Sequence, residues 1–299
     1  MHTRAPTKKV ALGSCNGAAS LLAPQLLAAL GAEVVSINTT PDGLFPRGAE
    51  PVAENLTALC QLVKDSGADV GFAQDMDADR LAVVDETGTP IGEDYTLVLA
   101  TRYILSKTPG AVVANLSTTH ALDPVVAHFG GTLHRSKIGE ANVTEMMQAV
   151  GAIIGGEGNG GVIYPRINFC RDSQVGMALI LHLLADTGKS LSQLLAEFPR
   201  YRIIKEKLEC PSDKIGEALK MMRRDYAEAE MDLRDGVKVL FANGWLHVRG
   251  SNTEPIIRIV AEAETAAAAA AIIKRVCQSQ QPPSLSSPIS AWERTWLAC

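Results

Sequence analysis

Short apolar runs alternate with helical spacings along most of the chain. KKVALGSCNGA opens on an apolar strand that runs into a glycine-containing loop. LLAPQLLAALG has the spacing of a helix stopped by Gly31, and AEVVSIN reads as a second strand. The order recurs about a hundred residues later: AVVANLS reads as a strand, ALDPVVAHFGG as a helix closed by a glycine pair, and TLHRS as another strand. Between these units, Leu56, Leu59, Leu62 and Val63 keep helical spacing up to a break at Gly67. VGFA then predicts a strand entering an acidic loop, and LAVVDETGTP a strand leaving it through a turn at Gly88. The pattern predicts an α/β fold of two tandem similar α/β domains, each a mixed sheet flanked by helices.

The helix DYTLVLATRYILSKTPG closes the first domain, giving residues 1–107, and a second runs over 108–200 through the helix QVGMALILHLLADTG. From 201 the texture changes. A strand (RIIKEKLEC), a helix (KIGEALKMMRRDYAEA), two strands across Asn243-Gly244, a strand (PIIRIVAEA) and an Ala-rich helix predict a smaller α+β C-terminal domain over 201–278. Residues 279–299, rich in Pro, Ser and Gln, read as a disordered tail.

Bulk properties narrow the partners. A net charge of −5 gives no overall attraction to nucleic acid or anionic membrane, so anion binding has to come from local groups. No apolar run reaches the roughly 18 residues of a membrane span, and MHTRAPTKKVALG lacks the apolar centre of a secretory signal. Six cysteines stand far apart without a CxxC pair, which argues against a zinc site or disulfide framework and fits a reducing cytoplasm.

Three loops carry chemistry. In QDMDADR, alternate spacing lets Asp75, Asp77 and Asp79 converge once the loop curls, and hard oxygen ligands of this kind suit Mg²⁺ or Ca²⁺. An EF-hand is excluded, because Arg80 stands where a sharp turn needs Gly and strands flank the loop. A solvated acidic turn is the competing reading, and the tight apolar strands with Arg80 beside them favour a metal and an anionic ligand. The second loop, IIGGEGNGGVIYP, matches GxGxxG literally, but the β-rich segment after it rules out the strand-to-helix turn a dinucleotide needs. Glycines around Glu157 and Asn159 let the backbone approach a ligand, and this carboxylate and amide suit vicinal hydroxyls; a ligand-free hairpin is the alternative. In RGSNTEP, Arg249 offers a planar fork for phosphate, Ser251, Asn252 and Thr253 add short donors, and Arg258 follows on the next strand. A plain polar hairpin is the alternative there. TGKS at 187–190 lacks the upstream Gly of a P-loop and reads as a helix end. One metal loop, one hydroxyl-reading loop and one phosphate-reading loop together describe a phosphosugar bound between domains.

These motifs resemble the α-D-phosphohexomutase family, which holds phosphoglucomutases, phosphomannomutases and phosphoglucosamine mutases. DMDADR stands for its DGDGDR, GEGNGG for GEMSGH and RGSNTEP for RxSGTEP, with further likeness at SCNGA, SINTTPDGLFP and KIGE, over roughly residues 8–278 in the family's order. The resemblance implies that Asp75, Asp77 and Asp79 hold Mg²⁺ and that Arg80 steadies the reacting phosphate. It implies that Glu157 and Asn159 read sugar hydroxyls. Lys137, Arg249, Ser251, Asn252, Thr253 and Arg258 would bind the other phosphate. It also implies transfer of a phosphoryl group from an enzyme phosphoserine to the sugar phosphate, with a bisphosphate that turns around.

Two departures stand out. The final His of GEMSGH is Gly161 here. The family's phosphoserine sits in a loop like TASHNP on a first domain, and no such motif occurs in these residues. Ser14 matches the second-domain motif SCNGA, so no catalytic nucleophile is assigned. The expectation is therefore domains two to four of a phosphohexomutase, nearest the phosphoglucosamine branch and inactive alone, with a first domain that is missing or a separate partner. The alternatives are a non-catalytic phosphosugar-binding protein and a decayed fragment.

Overall fold

β1 (Lys9–Gly13), whose side chains from Val10 onward are buried, is the axis of the first sheet. It pairs in parallel with β2 (Glu33–Ile37) on one side and with β3 (Val70–Gln74) on the other. β4 (Leu81–Val84) then closes the sheet antiparallel to β3, giving the order β2-β1-β3-β4. The computed structural model describes residues 8–48, 50–251 and 254–279. The expected tail with Trp292 and Trp296, and the proposed phosphate-site residues Asn252 and Thr253, lie outside them.

The second sheet repeats the first. β5 (Ala111–Asn115) pairs in parallel with β6 (Thr132–Ser136) and β7 (Ile154–Glu157), and β8 (Gly161–Ile163) returns antiparallel to β7, in the order β6-β5-β7-β8. The likeness extends to the connections. α2 (Thr57–Ser66) ends on Gly67 (φ 63°) before β3, and α5 (Glu140–Val150) ends on Gly151 (φ 64°) before β7. Each glycine takes the left-handed turn that lets the chain leave a helix and enter the sheet. β3, β4, β7 and β8 are buried along their whole lengths, and β4 accordingly reads as a continuous apolar run rather than an alternation.

Helices cover these sheets. α1 (Leu22–Ala29) packs on β2, and α2 on β1, β3 and β4. α3 (Asp94–Lys107) is buried on nearly every side, from Asp94 to Arg102 and again at Ile104 and Leu105. It packs on α6 (Ser173–Thr187), α4 (Leu122–His128), β7 and β8, and also touches β4. The sequence places this helix at the close of the first domain; in the structure it packs mainly on α6 and α4 and touches strands of both sheets. α7 (Leu191–Leu195) follows α6 through TGKS, where Gly188 ends one helix and Ser190 caps the next with Gln193. Residues 1–199 form one compact unit and 200–299 another.

The C-terminal unit is a five-stranded antiparallel sheet in the order β10-β11-β12-β13-β9: β9 (Arg202–Glu209), β10 (Glu230–Asp232), β11 (Val237–Phe241), β12 (Gly244–Gly250) and β13 (Ile256–Ala263). α8 (Ser212–Asp225) and α9 (Ala266–Ser279) pack on it, and its core includes Val237, Val239, Leu246, Val248, Ile257 and Ile259. Among the described residues, no helix is long and apolar enough to cross a membrane.

Candidate active site

The acidic loop lies at the open end of the β3–β4 pair, just beyond the last matched residues, Gln74 and Leu81. Ala78 adopts a left-handed conformation (φ 64°), curling the loop. Asp75, Asp77 and Asp79 each then bring an oxygen within 4.8 Å of the others. Asp75 is buried, Asp77 exposed and Asp79 between the two. Burial above all, with the neighbouring Asp79 and Asp77 charges, pushes the Asp75 carboxyl up to about 7, against the pull of the Arg80 N–H donated to it at 3.1 Å. Arg80 is the built-in counterion, its Nε 3.4 Å from Asp75 Oδ2 and 3.5 Å from Asp79 Oδ1. Asp79 Oδ1 is nevertheless buried without a hydrogen-bond partner. An orphaned carboxylate oxygen in a cluster of three carboxylates fits a hard divalent cation.

The neighbouring elements fix the loop's backbone. Ala18 donates its N–H to Met76 O at 2.8 Å, and Gly17 approaches so closely that a Cβ would stand 2.2 Å from that oxygen. A buried string of hydrogen bonds runs beneath it. Ser14 Oγ donates to Gln74 Oε1 (2.9 Å), Gln74 Nε2 to Ser173 Oγ (2.7 Å), and Ser173 Oγ to Ala78 O (2.6 Å). Ser14 thus spends its proton on Gln74 and is 1% exposed. Arg47 reaches the same place from the 40–48 segment, its Nη2 donating to Gln74 O.

GEGNGG forms an antiparallel hairpin of β7 and β8, with Glu157 opposite Gly161, not a strand-to-helix turn. Its tip is bonded to the metal loop's exit: Leu81 N–H donates to Gly160 O at 3.0 Å. Glu157 is buried and engaged by three donors, Asn115 Nδ2 (2.8 Å) and Gly139 N (3.0 Å) on Oε1, and Arg171 Nη1 (2.8 Å) on Oε2. A carboxylate has about four acceptor positions, so one remains for a ligand. Asn159 is half-buried; its Oδ1 accepts the Gly161 N–H at 3.1 Å, and its Nδ2 has no partner among the described residues. Lys137 is exposed in the turn between β6 and α5 and has no ion pair among the described residues.

Sequence reasoning missed Arg171. It donates to Asp79 Oδ2 through Nη2 and to Glu157 through Nη1, and its Nε lies 3.0 Å from Glu140 Oε2. The motif that contains it, CRDSQ, shows only the helix cap Asp172, which accepts from Gln174 N and Val175 N. No spacing along the chain marks Arg171, because its partners lie 92, 31 and 14 residues away.

In the C-terminal unit, Arg249 on β12 stands directly opposite Arg258 on β13, and Lys207 on β9 is opposite Arg258 on its other side. Like charges paired across strands repel, so the row is favoured by an anion beside it. Arg258 bonds Glu254 through Nη2 (3.0 Å), while its Nε is buried without a hydrogen-bond partner. Ser251 N–H closes the hairpin onto Ile256 O at 2.9 Å. Sequence reasoning found both arginines but not Lys207, whose place in the row depends on the β13–β9 register.

Comparison with known proteins covers nearly the whole described chain. Residues 2–88 match the model of phosphoglucomutase/phosphomannomutase alpha/beta/alpha domain II, 92–201 that of domain III, and 207–279 that of the C-terminal domain. A probable phosphoglucosamine mutase of Methanopyrus kandleri is 40% identical over 261 residues, spanning 86% of this chain and 58% of that protein. A phosphoglucomutase/phosphomannomutase of Thermococcus kodakarensis is also 40% identical, over 86% of this chain and 57% of its own length. Among solved structures, a phosphoglucomutase/phosphomannomutase family protein of Burkholderia thailandensis superposes with a TM-score of 0.81 at 30% identity, over 95% of this chain and 62% of that one. The chain therefore spans less than two thirds of the length of these relatives.

Proposed function

The chain belongs to the phosphoglucomutase/phosphomannomutase family, and on that premise we propose that it works in interconverting hexose 6-phosphate and hexose 1-phosphate, with glucosamine phosphate as substrate. The observation that carries this reading is Asp79. One of its oxygens is buried and unsatisfied in the acidic cluster, while the other is held by Arg171, which also holds Glu157 of the sugar loop.

Asp75, Asp77 and Asp79 would hold Mg²⁺. Bound there, the metal supplies charge that offsets the phosphoryl oxygens. Arg80 steadies the reacting phosphate from within the same loop. Asn159 donates its free amide, and Glu157 its remaining acceptor position, to sugar hydroxyls. In the C-terminal unit the Arg249–Arg258 pair, with Ser251, Asn252 and Thr253, would bind the phosphate that does not react. A phosphoserine gives its phosphoryl group to the free hydroxyl of the sugar phosphate, leaving serine and a bisphosphate; the second phosphate then returns to the serine. These 299 residues contain no TASHNP-like loop, so that serine is supplied from outside them and they do not turn substrate over alone. The preference for glucosamine phosphate is supported by relatives named phosphoglucosamine mutase. The free thiols of Cys15, Cys60, Cys170 and Cys210 suit a reducing cytoplasm.

The test is calorimetric titration of the 299-residue chain with glucosamine 6-phosphate and mannose 6-phosphate in Mg²⁺, alongside a mutase assay primed with a trace of the 1,6-bisphosphate. Expected are saturable binding that favours glucosamine 6-phosphate, and no turnover. Absence of binding to any hexose phosphate refutes the reading, and turnover by this chain alone refutes the externally supplied serine.

A further inference from the structure

Gly161 stands where the family pattern carries a histidine, and the structure shows what occupies the space. A Cβ built on Gly161 would lie 2.3 Å from Arg171 Cδ and 2.8 Å from Arg171 Cγ. The stem of Arg171 therefore fills the position that a side chain at 161 would need. Its head cannot easily give way, because the guanidinium is tied to carboxylates from three separate segments: Asp79 in the metal loop, Glu157 at the end of β7, and Glu140 at the start of α5. Arg171 N–H adds a fourth tie, donated to Glu140 Oε1 at 3.2 Å. The side chain is 16% exposed, so these pairs are shielded from water.

We propose that Arg171 is a positioning residue that locks the metal loop to the sugar loop, setting Asp79 for Mg²⁺ and making position 161 its space-keeper. The proposal rests on the Mg²⁺ reading of the acidic loop. By holding Asp79 Oδ2, Arg171 fixes the carboxylate plane and so fixes where Oδ1 lies; Oδ1 is the oxygen left without a hydrogen bond. A planar fork is required, since one ammonium group cannot face three carboxylates in different directions. The same fork holds Glu157, so displacement of Arg171 disturbs both loops together. The space beside Gly161 is thus filled by a side chain that arrives from the segment before α6.

Mg²⁺ affinity of the full chain, measured by calorimetry with the fold checked by circular dichroism, tests this. Arg171→Lys preserves the charge and removes only the fork, and it is expected to weaken Mg²⁺ binding by roughly tenfold or more, the usual effect of losing a partner that orients a ligand. Gly161→Ala touches no carboxylate of the metal cluster, yet its methyl must push Arg171 aside, so it should also weaken Mg²⁺ binding. In the Arg171→Lys background, the stem is no longer pinned through a fork and yields to that methyl, so the added loss should largely vanish. This non-additivity is a result that a general loss of stability would not produce. Folded single variants with wild-type Mg²⁺ affinity, or two losses that simply add, overturn the proposal while leaving the metal reading intact. A wild-type chain that binds no Mg²⁺ overturns both.

Discussion

Asp77 is the exposed member of the acidic triad, so its replacement tests metal binding with little cost to folding. Asp77→Asn keeps the size of the side chain and removes one ligand charge. Mg²⁺ affinity should fall by roughly tenfold or more, because ligand charge sets the strength of hard-cation sites, while the urea midpoint stays near wild type. Unchanged calorimetric titration would sink the metal assignment. A second residue governs pH response in the C-terminal unit. His247 is 1% exposed, and its ring nitrogen Nε2 meets Asp235 O at 2.6 Å. Burial first, then the Lys238 and Arg249 charges, hold its pKa below the usual value, against the pull of Asp235. Between the lowered folded value and about 6.5 in the unfolded chain, the unfolded state binds the extra proton. His247 therefore costs stability as pH falls below about 6.5 and is neutral above it. His247→Gln should show a smaller drop in urea midpoint between neutral and mildly acidic buffer than wild type. An equal drop would show that His247 does not carry the effect. At this scale, adjacency decided what could be read. Asp75, Asp77, Asp79 and Arg80 announce themselves because they are contiguous, whereas Arg171, Asn115 and Lys207 acquire their partners only through folding.

Elements were more legible than residues, and the misplacements have physical causes. Short apolar runs located β1 to β6, whereas IGGE of β7 was hidden in a glycine-rich run; the flanking strands that excluded an EF-hand are β3 and β4. Glu86, just past β4, accepts from Ser192 N (3.3 Å) and Oγ at α7. Asn243-Gly244 looked like a hairpin turn, but Gly244 is already paired with Phe241 in the sheet. It is small for another reason: a Cβ there would stand 2.0 Å from Glu262 O. α3 gave no direction to its packing because it is buried on most faces, with Asp94, Thr96, Thr101 and Arg102 among the buried residues, so its pattern could not say which sheet it served. Gly160 shows how one element depends on another. It sits at the hairpin tip with φ 89°, and a Cβ would come within 2.4 Å of Leu81 O, the first residue of β4. Gly160→Ala combines backbone strain with a clash against backbone that cannot move aside, and should cost at least about 1–3 kcal/mol. Urea unfolding should report that loss, and Mg²⁺ affinity should fall as the tip lifts away from the metal loop. Wild-type stability would mean that the two hairpins are not locked together at this point.

Across the whole molecule, the duplicated sheet order β2-β1-β3-β4 and β6-β5-β7-β8 accounts for the recurrence seen in the sequence, and the two repeats share one compact unit, residues 1–199. Each sheet places its antiparallel pair where a functional loop is needed: β3 and β4 carry the acidic loop, and β7 and β8 carry GEGNGG. Every group found to hold the acidic loop, from Ser14 and Gln74 to Gly160, Arg171 and Ser173, belongs to this unit. The unit also has its own cores, around Leu59, Val63 and Val84 and around Val113, Val143 and Met147. The paired arginines Arg249 and Arg258 belong to the other unit, which has a separate core. Metal binding and phosphate binding should therefore separate on dissection. A fragment of residues 1–199 is expected to fold cooperatively and to bind Mg²⁺ within about threefold of the full chain, since the ligand charges that set the affinity are all present. Its affinity for glucosamine 6-phosphate should fall steeply, because the charge-assisted contacts to one phosphate are gone. In the full chain, Arg258→Met should reproduce the loss of sugar-phosphate binding without changing Mg²⁺ affinity. If the fragment loses Mg²⁺ binding while remaining folded, the acidic loop depends on something beyond its own unit; if it keeps full affinity for the sugar phosphate, Arg249 and Arg258 serve another anion.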